Sequence, residues 1–426
     1  MPKPTRQALD AQQTITMNDT LLIWIPHLLG LGFVFAFGTC VGSFINVVSL
    51  RIPEGMSVIS PPSRCSICGR RLTWYENLPV FGWLIIRGRC WSCKTRVSLR
   101  YPAIELITGG LFAAYYAAVF VADPHGWWGR SGGAWFQNQG FMASIPAFVA
   151  ILGLLAALLA ATLIDLRTFS IPLSVTLIPT ILGLFAWTMQ GFVTDQIRPS
   201  PWPIPLAESW PICAAVIGGG CGTAISILLL AKGTLHRSFK DYHEYVKEGE
   251  LLADYPHARR EMRRELVFLL PIVALAVGGF FVGRAMDGAP PQVLQSLGGA
   301  GLGYFSGAGI MWFVRIVASY MKGVEAMGMG DVHLMGAAGA TLGWIDPIVA
   351  FFIAPFSGLA WIAVSGVLGS LRKGSSRREI PYGPHLALAI VAVVLLRPAI
   401  IDAGRLLFPG LISANTSLHE RPNRFQ

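Results

Sequence analysis

The sequence predicts an all-α polytopic membrane protein of about ten transmembrane helices, with a small cytoplasmic zinc-binding loop domain. Of its 426 residues, 53% are hydrophobic and only 13% are charged, and the mean hydropathy is +0.55. Apolar runs of about 20 residues, the length that crosses a bilayer core of about 30 Å, recur along the chain. Four of the seven cysteines form two Cys-x-x-Cys pairs, which indicate a metal site in a reducing compartment rather than a disulfide framework.

The first apolar run follows a polar lead and is too long for the core of a signal peptide. No small-x-small cleavage site follows it, so it is predicted to remain as a helix. The predicted membrane segments, in chain order, are 21–50, 103–122, 145–164, 172–192, 211–231, 266–284, 298–320, 332–345, 347–371 and 384–401.

Charge in the loops predicts the orientation of these segments. The loop 51–101 carries nine basic residues against two acidic ones, so the positive-inside rule places it in the cytoplasm and the N-terminus outside. The basic loops 232–265 and 372–378 then also face the cytoplasm. The net charge of +10 is therefore interpreted as membrane topology, and no nucleic-acid partner is predicted.

The cytoplasmic loop contains Cys65, Cys68, Cys90 and Cys93 as a C-x2-C, 21-residue spacer, C-x2-C pattern. This spacing is close to that of structural zinc sites, in which four thiolates close a tetrahedron and hold a segment too small to have its own core. The alternative is four unbound thiols on a flexible loop. That interpretation fits poorly with two knuckle-like pairs that each have basic neighbours.

Two aspartates lie at the ends of apolar segments. Asp165 ends one run, and Asp331 closes the turn Gly328-Met329-Gly330-Asp331. Four predicted segments separate them, and an even number returns the chain to the same face, so both are expected at the cytoplasmic boundary. A pair of close carboxylates suggests acid–base chemistry. The simpler alternative for Asp331 is that it caps a helix that starts at Val332.

The chain resembles the bacterial type IV prepilin peptidases, the bifunctional leader peptidases and N-methyltransferases of type IV pilus and type II secretion systems. The resemblance covers nearly the whole chain. The motifs that carry it are Gly42-Ser43-Phe44-Ile45-Asn46, Arg51-Ile52-Pro53, the four-cysteine loop with Trp74 to Pro79 and Arg100 to Glu105, Asp165 with Ile171-Pro172, the Gly328 to Asp331 turn, and Ile380-Pro381-Tyr382-Gly383-Pro384.

The resemblance implies that Asp165 and Asp331 are the catalytic residues of a GxGD aspartyl protease. Such a protease cuts a prepilin after a glycine that ends a short basic leader. It also implies methylation of the new N-terminal residue with S-adenosylmethionine, which depends on the cysteine loop. Gly88 is carried over as a methyltransfer position; the alternative is that it belongs to an ordinary turn between the metal knuckles.

The implied partners are a prepilin or pseudopilin substrate, the lipid bilayer, and pilus or secretion assembly components. The implied location is the bacterial inner membrane, with the active site at the cytoplasmic face. The predicted divisions of the chain are 1–50 (lead and first helix), 51–101 (zinc and methyltransferase loop), 102–208 (helices with Asp165), 209–297 (an inserted helix pair with a charged loop), 298–401 (peptidase core) and 402–426 (periplasmic tail).

The sequence departs from the family pattern at Leu173, where an acidic or amide residue is usual, and at His333, where lysine is usual. Three other functions stay open. A GxGD intramembrane protease of broader specificity would not need the cysteine loop. An ion-coupled transporter would place its acids near the middle of the bilayer rather than at segment ends. A peptidase that has lost methyltransferase activity is also compatible with these residues.

Overall fold

The structure, a computed structural model, describes residues 6–194, 209–241, 255–371 and 381–407. In these ranges the chain folds into helices joined by loops, which confirms the predicted all-α membrane fold. Several predicted segments lie wholly or partly outside the described residues. They are the start of the lead (1–5), residues 195–208 of the division 102–208, part of the charged loop 232–265, the basic loop 372–378 with Ile380, and most of the tail 402–426.

The first compact unit comprises Met1–Arg51 and Ser57–Asn138. Its helices are α1 (Arg6–Arg51), α2 (Phe81–Ile85), α3 (Arg100–Tyr116), which continues as a π turn (Ala117–Val121), and α4 (Gly133–Gln139). Small residues let α1 and α3 approach closely: a Cβ on Gly38 would lie 2.8 Å from the Gly109 Cα, and one on Gly42 would lie 2.7 Å from the Glu105 Cα.

The second compact unit comprises Ile52–Met56 and Gln139–Gln426. Its helices are α5 (Phe141–Thr168), α6 (Leu173–Val193), α7 (Trp210–Ala231), α8 (Ala258–Arg284), α9 (Gln292–Lys322), α10 (Met329–Leu342), α11 (Ile345–Leu371), α12 (Tyr382–Leu395) and α13 (Arg397–Leu407). Helices α7 and α8 are the helix pair of the predicted insertion. Glycines bring their backbones into contact, since a Cβ on Gly222 would lie 2.6 Å from the Ile272 Cα.

Helix α10 is the buried centre of the second unit, in contact with α5, α6, α9, α11 and α12. Leu334, Met335 and Ala338 are fully buried, and the Trp187 indole of α6 donates a hydrogen bond of 2.9 Å to the Thr341 carbonyl. Small residues such as Gly336 and Gly339 allow this close packing. With 14 residues, α10 is about 21 Å long, shorter than the hydrocarbon core of a bilayer.

Eight helices within the described residues are long and apolar enough to cross a membrane. They match eight of the predicted segments. The other two, 332–345 and 384–401, are the short helix α10 and the pair α12–α13, which bends by 93°. The chain is therefore a multi-pass membrane protein in which two of the predicted segments are not single straight spans.

Candidate active site and metal centre

Asp165 lies in the last turn of α5 and is buried. The helix ends three residues later, where Phe169 takes a left-handed conformation and donates its amide to the Asp165 carbonyl at 2.9 Å. The Asp165 carboxylate accepts a hydrogen bond from the backbone N–H of Gly383 in the first turn of α12. First-turn amides have no partner within their own helix, so the start of α12 stabilises negative charge on Asp165.

Asp331 is the third residue of α10 and is also buried. The helix starts at Met329, and the residue that precedes it, in the N-cap position, is Gly328 in an extended conformation. Asp331 is therefore not the cap of this helix, and the simpler interpretation of the aspartate fails on the backbone geometry. Its carboxylate turns back towards Gly328: a Cβ there would lie 3.8 Å from the Asp331 Oδ2.

Ile171 connects the two aspartates through close packing. A Cβ on Gly330 would lie 2.7 Å from the Ile171 Cβ, so only glycine lets the turn before Asp331 pack against this side chain. A Cβ on Gly383 would lie 3.0 Å from the Ile171 Cδ1 and 2.5 Å from the Asp165 Oδ2. Ile171 thus lies between the two glycines and joins the end of α5 to the starts of α10 and α12.

Charged and titratable groups from four elements interact at this site. Asp331 interacts with the negative charge of Asp165 and with the positive charge of Arg315 on α9. It also interacts electrostatically with Tyr382, the first residue of α12. Since burial weakens screening by water, these charges interact strongly. The structure therefore brings together two carboxylates separated by more than 160 residues of chain.

The four cysteine sulfurs of the first unit lie within 4.8 Å of one another. The Cys65 and Cys93 sulfurs are 3.8 Å apart, and those of Cys68 and Cys90 are 3.9 Å apart. A metal ion about 2.3 Å from four tetrahedral thiolates would place them about 3.8 Å from one another. The predicted cluster thus forms, and its donor set and spacing fit a tetrahedral metal ion.

The two cysteine pairs form a structural repeat that the sequence analysis missed. Each has the pattern Arg-Cys-x-x-Cys, and the second follows the first after 25 positions. In each pair an arginine before the first cysteine bridges to one after the second, Arg64 to Arg71 and Arg89 to Arg96. The amide four residues after each first cysteine donates to its carbonyl at 3.0 Å. The repeated Arg-Cys-x-x-Cys spacing is the signal that could have revealed it.

Backbone amides and neighbouring thiols make the four cysteines unequal. Hydrogen bonds from the amides of Cys93 and Ser92 lower the pKa of Cys90 to about 6. The Thr95 amide stabilises the Cys93 thiolate, but burial and the other thiols raise the pKa of Cys93 to about 11. Thiolates so close together repel one another, and a divalent cation would allow all of them to ionise.

A buried glutamate supports the loop between the knuckles. Glu76 accepts hydrogen bonds from the Thr73 amide at 2.9 Å and the Thr73 hydroxyl at 2.8 Å, and it pairs with Arg70. Burial opposes ionisation of Glu76, but these donors outweigh it and hold its pKa below the usual range. Folding of the loop therefore favours the ionised form.

Gly88 has a structural reason to be glycine. Its φ is +64°, and a Cβ there would lie 2.5 Å from the Trp83 Cζ2. The Trp83 indole also donates to the Val97 carbonyl at 3.1 Å, while the Gly88 carbonyl accepts from the Val97 amide at 2.8 Å. A side chain at position 88 would disturb the turn that leads into Cys90, so a role of Gly88 in methyl transfer stays a prediction.

Comparison with known proteins finds similarity to one family of proteases. Residues 36–119 match the Bacterial Peptidase A24 N-terminal domain, and residues 262–363 match the Type IV leader peptidase family. A prepilin leader peptidase/N-methyltransferase of Aeromonas hydrophila is 25% identical over 396 residues, which cover 87% of this chain and 92% of that protein. The chain is therefore similar to type IV leader peptidases in two separate regions. The first match contains the four cysteines, and the second contains Asp331.

Other prepilin leader peptidase/N-methyltransferases share shorter stretches with this chain. The prepilin leader peptidase/N-methyltransferase of Myxococcus xanthus is 52% identical over 82 residues, or 19% of this chain and 24% of that protein. The one from Neisseria gonorrhoeae is 32% identical over 201 residues, or 42% of this chain and 62% of that protein. The alignments with these two relatives thus span less than two thirds of their length. No solved structure matches the chain.

The aspartates and cysteines are evident in the sequence, but the residues that support them are not. Ile171 and Gly383 belong to motifs whose packing at the Asp165 site has no sequence signal. Arg315 lies within an apolar run and was not predicted to have a role. A lone arginine in a membrane segment is the signal that could have found it, because such charges are costly and seldom lack a function.

Proposed function

We propose that this chain is a membrane aspartyl endopeptidase that removes the short basic leader of type IV prepilins or pseudopilins by cleavage after a glycine. The observation that carries the proposal is the packing of Ile171 between Gly330 and Gly383, which brings the ends of α5 and α10 together. Asp165 and Asp331 are the proposed catalytic residues. Similarity to known proteins supports the reaction, since the named relatives are prepilin leader peptidases.

The chemistry follows from two buried carboxylates at one site. Two close carboxylates cannot both ionise easily, so the pair shares a proton and titrates as a unit. We assign the charge to Asp165, because the Gly383 N–H stabilises it, and the proton to Asp331. The ionised carboxylate takes a proton from a water molecule while the water oxygen attacks the scissile carbonyl carbon. The protonated carboxyl group donates its proton to the carbonyl oxygen.

The second proposed activity is N-methylation of the new N-terminal residue with S-adenosylmethionine. It is supported by the names of the relatives, which are N-methyltransferases as well as peptidases. Cys65, Cys68, Cys90 and Cys93 are the proposed zinc ligands, and the metal would hold the loop in its folded form. Gly88 is included as a methyltransfer position because it sets the turn before Cys90.

The proposed location is the bacterial inner membrane, with both carboxylates at its cytoplasmic face. The charge distribution of the loops supports this orientation. A substrate with a basic leader and an apolar helix suits cleavage at this boundary, because the leader stays in the cytoplasm while the helix lies in the bilayer. Pilus or secretion assembly components are the proposed further partners.

The test is cleavage of a model prepilin in membranes that contain wild type, Asp165→Asn or Asp331→Asn, with leader loss and added methyl read by mass. Both substitutions keep the shape and remove the acid. The matched control is Asp287→Asn, an exposed aspartate in the loop between α8 and α9. Loss of cleavage in the first two folded variants but not in the control supports the proposal.

Two other outcomes would change the proposed function. Cleavage that survives either dyad substitution would refute the aspartyl mechanism and favour an ion-binding role for the carboxylates. Cleavage by wild type without methylation would leave the peptidase in place and reduce the cysteine loop to a structural or docking element.

A further inference from the structure

Arg315 lies within α9 and only 1% of its surface is exposed, in a helix apolar enough to cross a membrane. Removing an arginine from water is costly unless its charge is paired and its N–H groups are hydrogen-bonded. The side chains that pair with Arg315 come from two segments outside α9. Its burial is therefore maintained by long-range contacts, and their positions indicate what the arginine does.

The first partner is Glu265, in the second turn of α8. Arg315 donates to Glu265 from Nε at 3.2 Å and from Nη2 at 3.0 Å, which is the paired geometry that a guanidinium forms with a carboxylate. The Trp312 indole donates to the same carboxylate at 2.7 Å. Glu265 is 3% exposed, so α8 presents a fully desolvated anchor to one edge of the guanidinium.

The second set of partners lies in the turn before Asp331. Nη1 of Arg315 donates to Glu325 at 2.6 Å and to the Met327 carbonyl. One turn further along α9, the Ser319 hydroxyl accepts from the Ala326 amide at 3.0 Å. The segment 323–328 is thus fastened to α9 at two levels, and it leads directly into the helix that carries Asp331.

We infer that Arg315 is a positioning residue of the proposed peptidase: it holds the turn before Asp331 in place, and Glu265 of α8 holds Arg315. The inference rests on the proposed function and gives the second helix of the predicted insertion a role in it. Lysine cannot replace this arginine, because its single nitrogen cannot reach Glu265 and the turn from opposite edges.

Three variants distinguish the bridge that Arg315 forms between Glu265 and the turn from its positive charge. Arg315→Met removes both, Arg315→Lys removes the bridge and keeps the charge, and Glu265→Gln loosens the anchor without touching the turn. A displacement of about 1 Å at a catalytic group lowers kcat by about 100-fold. We expect a loss of that order for Arg315→Met with KM unchanged, and smaller losses for the other two.

A double-mutant cycle tests whether the two residues act together. If Glu265 works through Arg315, the double variant with Glu265→Gln and Arg315→Met is no slower than Arg315→Met alone. If the fold-loss in rate of the double variant equals the product of the two single losses, Glu265 acts independently of Arg315. That result would overturn the anchoring role.

The pH profile provides a readout that a merely structural role would not move. Asp331 faces the charged or titratable groups Asp165 from α5, Arg315 from α9 and Tyr382 from α12. Removing a positive charge beside two carboxylates makes the pair hold its proton to higher pH. The acidic limb of the kcat profile should therefore move to higher pH in Arg315→Met and stay in place in Arg315→Lys.

The matched control is Arg397→Met. Arg397 is a second buried arginine, paired with Asp346 at 2.5 Å just beyond the far end of α10. Its loss is expected to lower stability while the pH profile and the turn stay unchanged. Hydrogen exchange of the amides in residues 323–330 reports on the turn without any enzyme assay. These amides should exchange faster in Arg315→Met, Arg315→Lys and Glu265→Gln, but not in Arg397→Met.

The outcomes distinguish this inference from the proposed function. If wild type does not cleave a prepilin, the proposed function fails. Hydrogen exchange of residues 323–330 then tests by itself whether Arg315 fixes the turn. If wild type cleaves and Arg315→Met cleaves equally fast, or if exchange of residues 323–330 is unchanged in both Arg315→Met and Glu265→Gln, the positioning role is refuted. If Arg315→Met does not fold, Glu265→Gln and Arg315→Lys carry the test.

Discussion

Substitution of Gly383 by alanine tests the geometry of the proposed dyad without altering either acid. The added Cβ would lie 2.5 Å from the Asp165 Oδ2, 3.1 Å from its Cγ and 3.0 Å from the Ile171 Cδ1. Ordinary contacts of this kind begin near 3.4 Å, so the carboxylate oxygen has to move by about 0.9 Å. The same movement weakens its hydrogen bond from the Gly383 amide.

The expected result is a large loss of rate in a protein that still folds. A catalytic group displaced by about 1 Å lowers the rate by about 100-fold, which corresponds to about 2.7 kcal/mol of transition-state stabilisation. Overpacking of this kind typically costs about 1–3 kcal/mol of stability. Initial rates of leader cleavage in proteoliposomes measure the first quantity, and thermal unfolding measures the second.

Two further glycines sharpen the test. Gly330→Ala places a Cβ 2.7 Å from the Ile171 Cβ and should displace the Asp331 side of the site, again with loss of rate. Gly309→Ala is the control, because no atom lies within 4 Å of its added Cβ and alanine favours a helix interior. A Gly383→Ala enzyme that is folded and retains at least half of the wild-type rate would refute the dyad geometry proposed for Asp165.

The other predictions concern the cysteine loop. Removal of metal by a chelator should release bound zinc, expose the loop to proteolysis and abolish methylation; a loop that stays protected without metal would contradict a structural zinc. Gly88→Ala should lower metal content along with methylation, whereas Gly69→Ala, with a similar positive φ and nothing within 4 Å, should have a smaller effect; loss of methylation with full metal content would instead support a direct role of Gly88. Glu76→Gln should destabilise the loop by about 1–3 kcal/mol near neutral pH. Since the folded-state pKa of Glu76 lies below its usual value, this difference should close as the pH falls below about 4, and a difference that is constant with pH would contradict the ionised state of Glu76.

Hydropathy and motif spacing predicted the parts of the molecule that depend on local sequence. Runs of about 20 apolar residues became helices because the backbone must satisfy its own hydrogen bonds in a bilayer. The Cys-x-x-Cys pairs formed a cluster because each pair builds its own knuckle. Length alone could not show that 332–345 forms the short helix α10, since its burial depends on neighbours that are distant in sequence.

The supports of the aspartate site depend on pairs of residues with no local signature. Nothing near Ile171 in the sequence indicates that Gly330 and Gly383 pack on either side of it. Glu265 and Arg315 lie on different helices. In the sequence, each is only a single charged residue near or within an apolar run. Sequence reasoning finds groups that could do chemistry, whereas the packing that holds them in place appears only in three dimensions.

The contact between Glu265 and Arg315 also helps to explain how the predicted extra helices can lie between the two proposed catalytic residues. An inserted pair returns the chain to the same face, so it leaves the direction of every later helix unchanged. An unchanged direction of the later helices explains why the fold can accept the pair, but it gives the pair no function. A buried carboxylate on α8 does more, because Arg315 could not stay desolvated without it. The family match that begins at residue 262 includes this carboxylate together with Asp331, so the end of the predicted insertion and the peptidase turn are expected to vary together: a chain that lacks Glu265 should also lack Arg315.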